Sequence, residues 1–492
     1  MHMPPRTNQA PIVAGSSRGQ VQRLWFALDP ARWPLPPDAL PAGTALVGGA
    51  VRDGLLGRRP ERVDLDLVVP GDAIALSRDL ARRFGGSAVV LDGERSIARL
   101  VLRGWTVDLA RRLGPDLETD LGRRDYSVNA MALTLAETPR LLDPHGGLAD
   151  LEQGELRALS EANLLDDPLR LLRGIRLASE LGFAIEARTW AWICAHHGRL
   201  DGVAGERVLA ELERIAATAT GEQGLARVWS AGLLASQADA PAMAALARCS
   251  QAWANRCGLN AAELGWALPL ARLAAVLDGA ALERLRASRR LRQRALGLRR
   301  WRQRLEAIAQ PRPQGSAEAG HQGSAEAGPQ GSAEAGPQGS AEAGPQGSAE
   351  AGPQGSAEAG PAGQPPGPAM PGTPRPLRLD DLQEAERLAL QRELEADLPA
   401  LLLQLEADDA KAALARWRDP QDPLFHPRAP LDGALLQRQL QLKPGPELGQ
   451  LLRHLTLERA FGRLPAARGP EADERVLSCA RQWLAPRGQR CD

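Results

Sequence analysis

Apolar and polar positions change their rhythm once along this chain, near residue 160. Between Ala45 and about Asp143, short apolar runs alternate with turn residues, the pattern of an α/β unit. "TALVGG" reads as a strand, "VRDGLLG" as a short helix, and "VDLDLVV" as a strand whose successive side chains face opposite sides. "IALSRDLARRFG" carries apolar residues at helical spacing, and "SAVVLD", "ARLVL" and "WTVDLA" add further strands. From about Ser160 the period turns helical and stays so. It resumes from 377 to 492, as in "LQEAERLALQRELEADLPALLLQLEA" and "PELGQLLRHLTLERAFG". The expected class is α+β, with a small mixed sheet and its helices first and an all-α part after it.

Two stretches have no core-forming rhythm. Residues 1–20, rich in Pro, Gly, Ser and Gln, read as a disordered tail. Residues 313–360 are six near-perfect copies of the octapeptide "PQGSAEAG", with His321 replacing one proline, so 311–376 reads as a flexible spacer. A random coil of that length would span about 45 Å. The expected units are therefore 21–158, 159–310 and 377–492, separated by that spacer. Composition narrows the picture further. Formal net charge is zero, which removes any global basic signal for nucleic acid and leaves only local clusters. Cationic charge is almost all arginine, Lys411 and Lys443 being the only lysines. The five cysteines have no paired spacing, so neither a zinc site nor a disulfide framework is indicated. No apolar run reaches membrane-spanning length and residues 1–20 lack a secretory core, so the expected compartment is reducing and cytoplasmic.

The chemistry-bearing stretch is "LVGGAVRDGLLGRRPERVDLDLVV" (Leu46 to Val69). Strand alternation sends Asp64 and Asp66 to one face, and Asp108 in "TVDLA" is flanked by apolar residues in the same style. Neighbouring strands would bring three carboxylates together, which is costly without positive charge between them. Two hard divalent cations about 3.5–4 Å apart would neutralise them and clamp a phosphoryl transfer. An Asp-x-Asp alone more often has a structural or capping role. Here it follows Gly48-Gly49, a strand-to-helix turn whose backbone can approach phosphates, and Arg52, one turn into that helix.

Gly-Gly, Asp-x-Asp and an isolated apolar-flanked Asp together resemble the DNA polymerase β-like nucleotidyltransferase superfamily. "GGAVRDGLLGR…DLD" is similar in particular to the class II tRNA nucleotidyltransferase/poly(A) polymerase family. The resemblance implies a nucleotidyltransferase head followed by a helical neck, body and tail, Mg²⁺ as a pair of ions held by Asp64 and Asp66, and Asp108 as the third catalytic acid. "RRDYSVNAMAL" (Arg123 to Leu133) resembles the second family motif, with Tyr126-Ser127 in place of the usual Phe-Thr. It implies that Arg124 and Asp125 contact the ribose hydroxyls. "DPHGGLADLEQGELR" (Asp143 to Arg157) resembles the hinge motif.

In "DDPLRLLRGIRLASELGF" (Asp166 to Phe183), Arg170, Arg173 and Arg176 recur every three residues down one helix stripe. Asp167 and Arg170 can offer an acceptor and donors to one base edge, accepting cytosine or adenine. Asp-Pro before such a run is also an ordinary helix start. The resemblance assigns base reading to Asp167 and Arg170 and places Arg173 and Arg176 near triphosphate or base. The family usually has Glu where this chain has Asp166. "GERVLAELERI" (Gly205 to Ile215) resembles the scaffolding motif through Arg207 and Glu211, and "KPGPELG" marks the C-terminal helical region.

"ERLRASRRLRQRALGLRRWRQRLE" (Glu283 to Glu306) carries ten arginines with few acids nearby in sequence. Its density points to a phosphate-tracking surface for tRNA, with Arg289, Arg290 and Arg294 as its contacts. Full CCA-adding relatives carry an extended loop between the third acid and the Arg-Arg-Asp motif. Only "LARRLGPDLETDLG" separates Asp108 from Arg123 here, which implies addition of two cytidines from CTP with weak or absent use of ATP. Two other readings are a poly(A) polymerase and a catalytically dead RNA-binding module.

Overall fold

The computed structural model describes residues 17–234, 240–310, 375–465 and 469–485. The octapeptide repeats and residues 1–16 of the expected tail lie outside the described residues. Residues 17–20 differ from expectation, because a helix already begins there, at Ser17–Leu28. Its Leu24 and Leu28 are buried, and Leu24 packs so tightly over Gly54 that a side chain there would strike it. That packing fixes the short helix Gly49–Leu55, which carries Arg52.

Seven strands form one sheet: β1 (Ala45–Val47), β2 (Leu65–Val69), β3 (Ser87–Asp92), β4 (Ile97–Leu102), β5 (Trp105–Arg111), β6 (Ala132–Thr134) and β7 (Leu141–Leu142). Their spatial order is β3-β4-β5-β2-β1-β6-β7. Only β2 and β5 run parallel; the other neighbours are antiparallel. Parallel neighbours need a crossover. Helix Ala73–Phe84 supplies it, capped by Asp72, whose carboxylate accepts from the Ile74 and Ala75 amides, and closed by Gly85 in the left-handed region. This helix covers one face, over Leu100, Leu102, Val107 and Leu109. The opposite face is free to carry polar groups.

One apolar core runs from Leu24 in the head, through the neck, to Phe425. A second cluster, with Leu436, Leu451, Leu455 and Val476, holds the C-terminal helices together. Helix Arg289–Ala309 belongs to the first core and is not a bare cationic face. The carboxylates absent from its own sequence neighbourhood arrive from beyond residue 375. Arg294 makes a forked pair with Asp397 at 2.7–3.0 Å, Arg300 meets Glu393, and Arg304 donates twice to Glu386. Trp301 adds an indole hydrogen bond to Glu393 at 3.0 Å. The expectation that Arg294 contacts RNA is therefore corrected: its guanidinium is a clasp inside the body. Arg289 and Arg290 remain exposed, with no carboxylate partner among the described residues. Among those residues no helix is long and apolar enough to cross a membrane, and Cys194, Cys249, Cys257 and Cys479 are free thiols.

Arg272 is the most deeply buried cation, 1% exposed. Its guanidinium donates to the carbonyls of Cys249, Ala216, Thr218 and Ala219 and to Glu222 at 2.6 Å. It thereby pins the end of helix Gly205–Ala217 against the body. Removing one partner of such a buried pair strands the other. Arg272→Met should lower unfolding stability by about 3–5 kcal/mol, read as a reduced midpoint in denaturant and a lower Tm. A midpoint equal to wild type would contradict the assignment.

Candidate active site

The polar face of the sheet borders a cleft of about 730 Å³, closed on its far side by the neck helix Leu169–Leu181 and the end of Gly205–Ala217. Alternation works as expected on β2 and β5. Leu65, Leu67, Val107 and Leu109 are buried, while Asp66 and Asp108 face the cleft. The parallel register pairs Asp66 directly with Asp108. Asp64, just before β2, lines the same cleft. Burial pushes the Asp66 carboxyl up from 3.8 to about 6, reinforced by the Asp108 and Asp64 charges and opposed by Arg124 and Arg173.

Asp108 is not free. Arg99, its antiparallel partner on β4, donates Nε to Oδ1 at 2.7 Å and Nη2 to Oδ2 at 2.8 Å. Among the described residues, accordingly, no three His, Cys, Asp or Glu side chains are grouped to hold a metal. Asp64 and Asp66 accept no hydrogen bond from a described residue. Two unclaimed carboxylates, one with its charge held at a cost, fit a hard divalent cation by donor chemistry.

Gly48 turns the chain from β1 into the helix with φ 73°, a left-handed value that suits glycine. A side chain there would touch an Asp66 oxygen at 3.5 Å and Arg124 Nη1 at 3.6 Å, so the turn sits between carboxylate and guanidinium. Gly49 follows, in contact distance of Arg52. Arg52 is buried and committed: Nε and Nη2 donate to Asp53, and Nη1 donates to Asn129 at 2.7 Å. Asn129 passes the link on to Asp125 at 3.2 Å. Arg124 donates a long bond to Asp120, and its buried Nε has no partner among the described residues.

Asp125 is buried. Burial alone would raise its pKa, but Arg173 at 3.0 Å, the Tyr126 amide and Asn129 hold it below the usual range. Arg173 lines the cleft. The substitution of Tyr126 for the family's usual Phe has a physical account. The fully buried phenol donates to the Arg170 carbonyl at 2.8 Å, and Gly174 leaves room for it, since a side chain at 174 would collide with the phenol oxygen.

Asp167 links helix Glu161–Asp166 to Leu169–Leu181 and accepts from the Leu169 amide and from Arg207 Nη2 at 2.8 Å. Arg170 Nη1 donates to the carbonyls of Asn163 and Arg123. Arg176 differs from expectation: it is 3% exposed and held by Glu180 and Glu211, each at 2.5 Å, so it cross-links the neck although it borders the cleft. Sequence inspection missed Arg99, Asn129 and the Asp167 contact of Arg207. Alternation in "ARLVL" places Arg99 on the polar face, but its opposition to Asp108 depends on a register that no local pattern states.

Residues 109–122 are short and tied down. The Arg112 amide donates to the Val69 carbonyl at 2.8 Å, Asp116 caps helix Leu117–Leu121, and buried Asp120 accepts from the Leu113 amide at 2.9 Å.

Two family models match the chain. One, described as poly A polymerase head domain, covers residues 106–157; the other, described as probable RNA and SrmB-binding site of polymerase A, covers 182–242. A CC-adding tRNA nucleotidyltransferase of Synechocystis sp. is 45% identical over 196 residues, 40% of this chain and 47% of that protein. An A-adding tRNA nucleotidyltransferase of Deinococcus radiodurans is 42% identical over 208 residues, 41% of this chain and 46% of that protein. The chain thus spans about half the length of the curated relatives it matches. The Thermotoga maritima CCA-adding enzyme complexed with tRNA superposes with a TM-score of 0.59 at 19% identity, over 89% of this chain and 91% of that one. A CCA-adding enzyme in complex with CTP gives 0.60 at 19%, over 91% of each. At that identity the likeness concerns the fold.

The raised Asp66 value has a definite sign. Ionisation in the folded state is penalised, so the penalty is absent below about pH 4 and complete above about pH 6. In chelator, Asp66→Asn should therefore raise the Tm at pH 8, by a stability gain of at most roughly 3 kcal/mol, and the gain should vanish near pH 4. A gain independent of pH would refute the electrostatic account.

Proposed function

We propose that the chain belongs to the class II tRNA nucleotidyltransferase/poly(A) polymerase family and that it transfers nucleotides without a nucleic-acid template from CTP to the 3′ end of tRNA. The observation that carries this reading is the opposed pair Asp66 and Asp108, with Asp64 beside them, at the floor of a cleft walled by the arginine stripe of the neck. The tRNA 3′-hydroxyl attacks the α-phosphate of CTP; one P–O bond forms, the bond to the β-phosphate breaks, and pyrophosphate leaves. Asp64 and Asp66 would hold Mg²⁺, taken as two ions, which would neutralise phosphate charge and lower the pKa of the attacking hydroxyl.

The remaining roles belong to the chain's own residues. Gly48 and Gly49 let the triphosphate approach the backbone, beside Arg124. Asp125 and Arg124 form the ribose side. Asp167, held by Arg207, and Arg170, held by two carbonyls, present acceptor and donors to the base. Arg52 and Arg176 act by positioning, since both are already paired. The short, pinned connector 109–122 supports a limit of two cytidines, with ATP used poorly. The 21–158 head, 159–310 neck and body, and 377–492 body and tail follow as functional units, the body being shared across the insert. Exposed Arg289 and Arg290 are the remaining candidates for the tRNA backbone.

A tRNA transcript ending at its discriminator base, supplied with CTP, should gain two cytidines; adding ATP should leave its length unchanged. Efficient addition of a terminal adenosine would refute the CC-only limit, and extension by ATP alone into long tails would favour a poly(A) polymerase. Asp64→Ala and Asp66→Ala should each reduce CMP incorporation by about 10³-fold. Undiminished incorporation would overturn the site and leave the RNA-binding reading. Arg289→Gln with Arg290→Gln should raise KM for tRNA and reduce the salt slope by about one per lost phosphate contact, with kcat retained.

A further inference from the structure

Arg99, Asp108 and Asp66 occupy directly opposed positions on three adjacent strands, β4, β5 and β2, all on the cleft face. A line of cation, anion, anion is not stable by symmetry. Asp108 is drawn to one side by a two-pronged donor at 2.7 and 2.8 Å, while Asp66 on its other side receives no hydrogen bond from a described residue. The Arg99 and Asp108 side chains are 44% and 30% exposed. A pair that open to water contributes little to stability, because water screens it and two side chains must be immobilised. Its effect falls on the neighbouring acids instead, since it removes part of the repulsion that burdens Asp66.

We propose that Arg99 is an internal counter-ion for this acidic cluster, standing in for the metal in the unloaded protein and yielding Asp108 when metal and nucleotide enter. The inference rests on the reading of Asp64, Asp66 and Asp108 as the metal-nucleotide site. Each oxygen of Asp108 already accepts from the guanidinium fork, which spends part of its lone-pair capacity and makes Asp108 a weaker cation ligand beside Asp66 until the fork opens. A guanidinium this close also lowers the affinity of the cluster for any second positive charge. Arg99 lies on the exposed side of β4, between Val89 on the edge strand, 49% exposed, and the cleft, so its guanidinium borders open solvent. Arg99 is thus a positioning residue: it fixes Asp108 before the reaction and sets the cost of loading.

The test is metal binding to the full chain, measured as free Mn²⁺ by electron paramagnetic resonance, for wild type, Arg99→Gln, Arg99→Lys and Asp66→Asn. Removing a screened cationic neighbour should tighten Mn²⁺ binding by roughly three- to tenfold in Arg99→Gln. Arg99→Lys, which keeps the charge and loses the fork, should fall between it and wild type. Asp66→Asn should bind weakly. Damage to the fold would weaken binding, so a gain in affinity separates the proposal from a structural role. Equal or weaker Mn²⁺ binding by Arg99→Gln, with wild type binding normally, overturns the counter-ion role and leaves the acidic site intact. No Mn²⁺ bound by wild type or by Arg99→Gln, with or without CTP, overturns the acidic site itself.

Discussion

The structure is organised around one electrostatic constraint: two carboxylates, Asp66 and Asp108, held opposite each other by the single parallel pairing in the sheet. Strand geometry leaves them little freedom to separate, because a shift of either strand by one residue would turn its carboxylate into the apolar core. The protein answers with guanidinium groups from several directions, Arg99 on β4, Arg124 across the Gly48 turn and Arg173 from the neck. Those cations need partners of their own. Arg173 leans on Asp125, Asp125 on Asn129, and Asn129 on Arg52, which is held by Asp53. The cleft is bordered by a chain of charged and polar groups whose members are each partly satisfied before any substrate arrives.

That chain also joins the sheet to the neck. The Tyr126 phenol grips the Arg170 carbonyl, and Arg207 grips Asp167, so the residues proposed to read the base are fixed to both neighbouring elements. A tyrosine with its buried hydroxyl satisfied is stiffer than a phenylalanine in the same place. Gly174 is the necessary counterpart, and the two positions are best regarded as one feature. The Arg272 contacts hold the end of Gly205–Ala217, from which Arg207 and Glu211 project, so the geometry of the base reader depends on a cation in the body.

Much of this was legible in the sequence, and what was not has a common cause. Local alternation gave Asp64, Asp66 and Asp108 their common face, and helical spacing gave the Arg170–Arg173–Arg176 stripe. Alternation cannot say which strand lies next to which, so the pairing of Arg99 with Asp108 stayed hidden. Spacing cannot tell a free arginine from a satisfied one. Arg294 occupies the same kind of position as exposed Arg289, yet its carboxylate comes from Asp397, 103 residues away in sequence, while Arg176 and Arg173 are met by Glu211 and Asp125 from other elements. The helix at Ser17 was concealed by the polar composition around it, although Leu24 and Leu28 had the spacing to dock.

The Arg294–Asp397 clasp has a bearing on how the chain is made. The two residues are 103 positions apart, with Arg300 and Arg304 waiting for Glu393 and Glu386 in the same way. At ordinary translation speeds the guanidinium stripe leaves the ribosome about 5–20 s before the acids that cover it. During that interval a nascent polycation stands next to ribosomal RNA. A chain cut short before residue 386 would keep that stickiness permanently, and completion of synthesis is the event that quenches it.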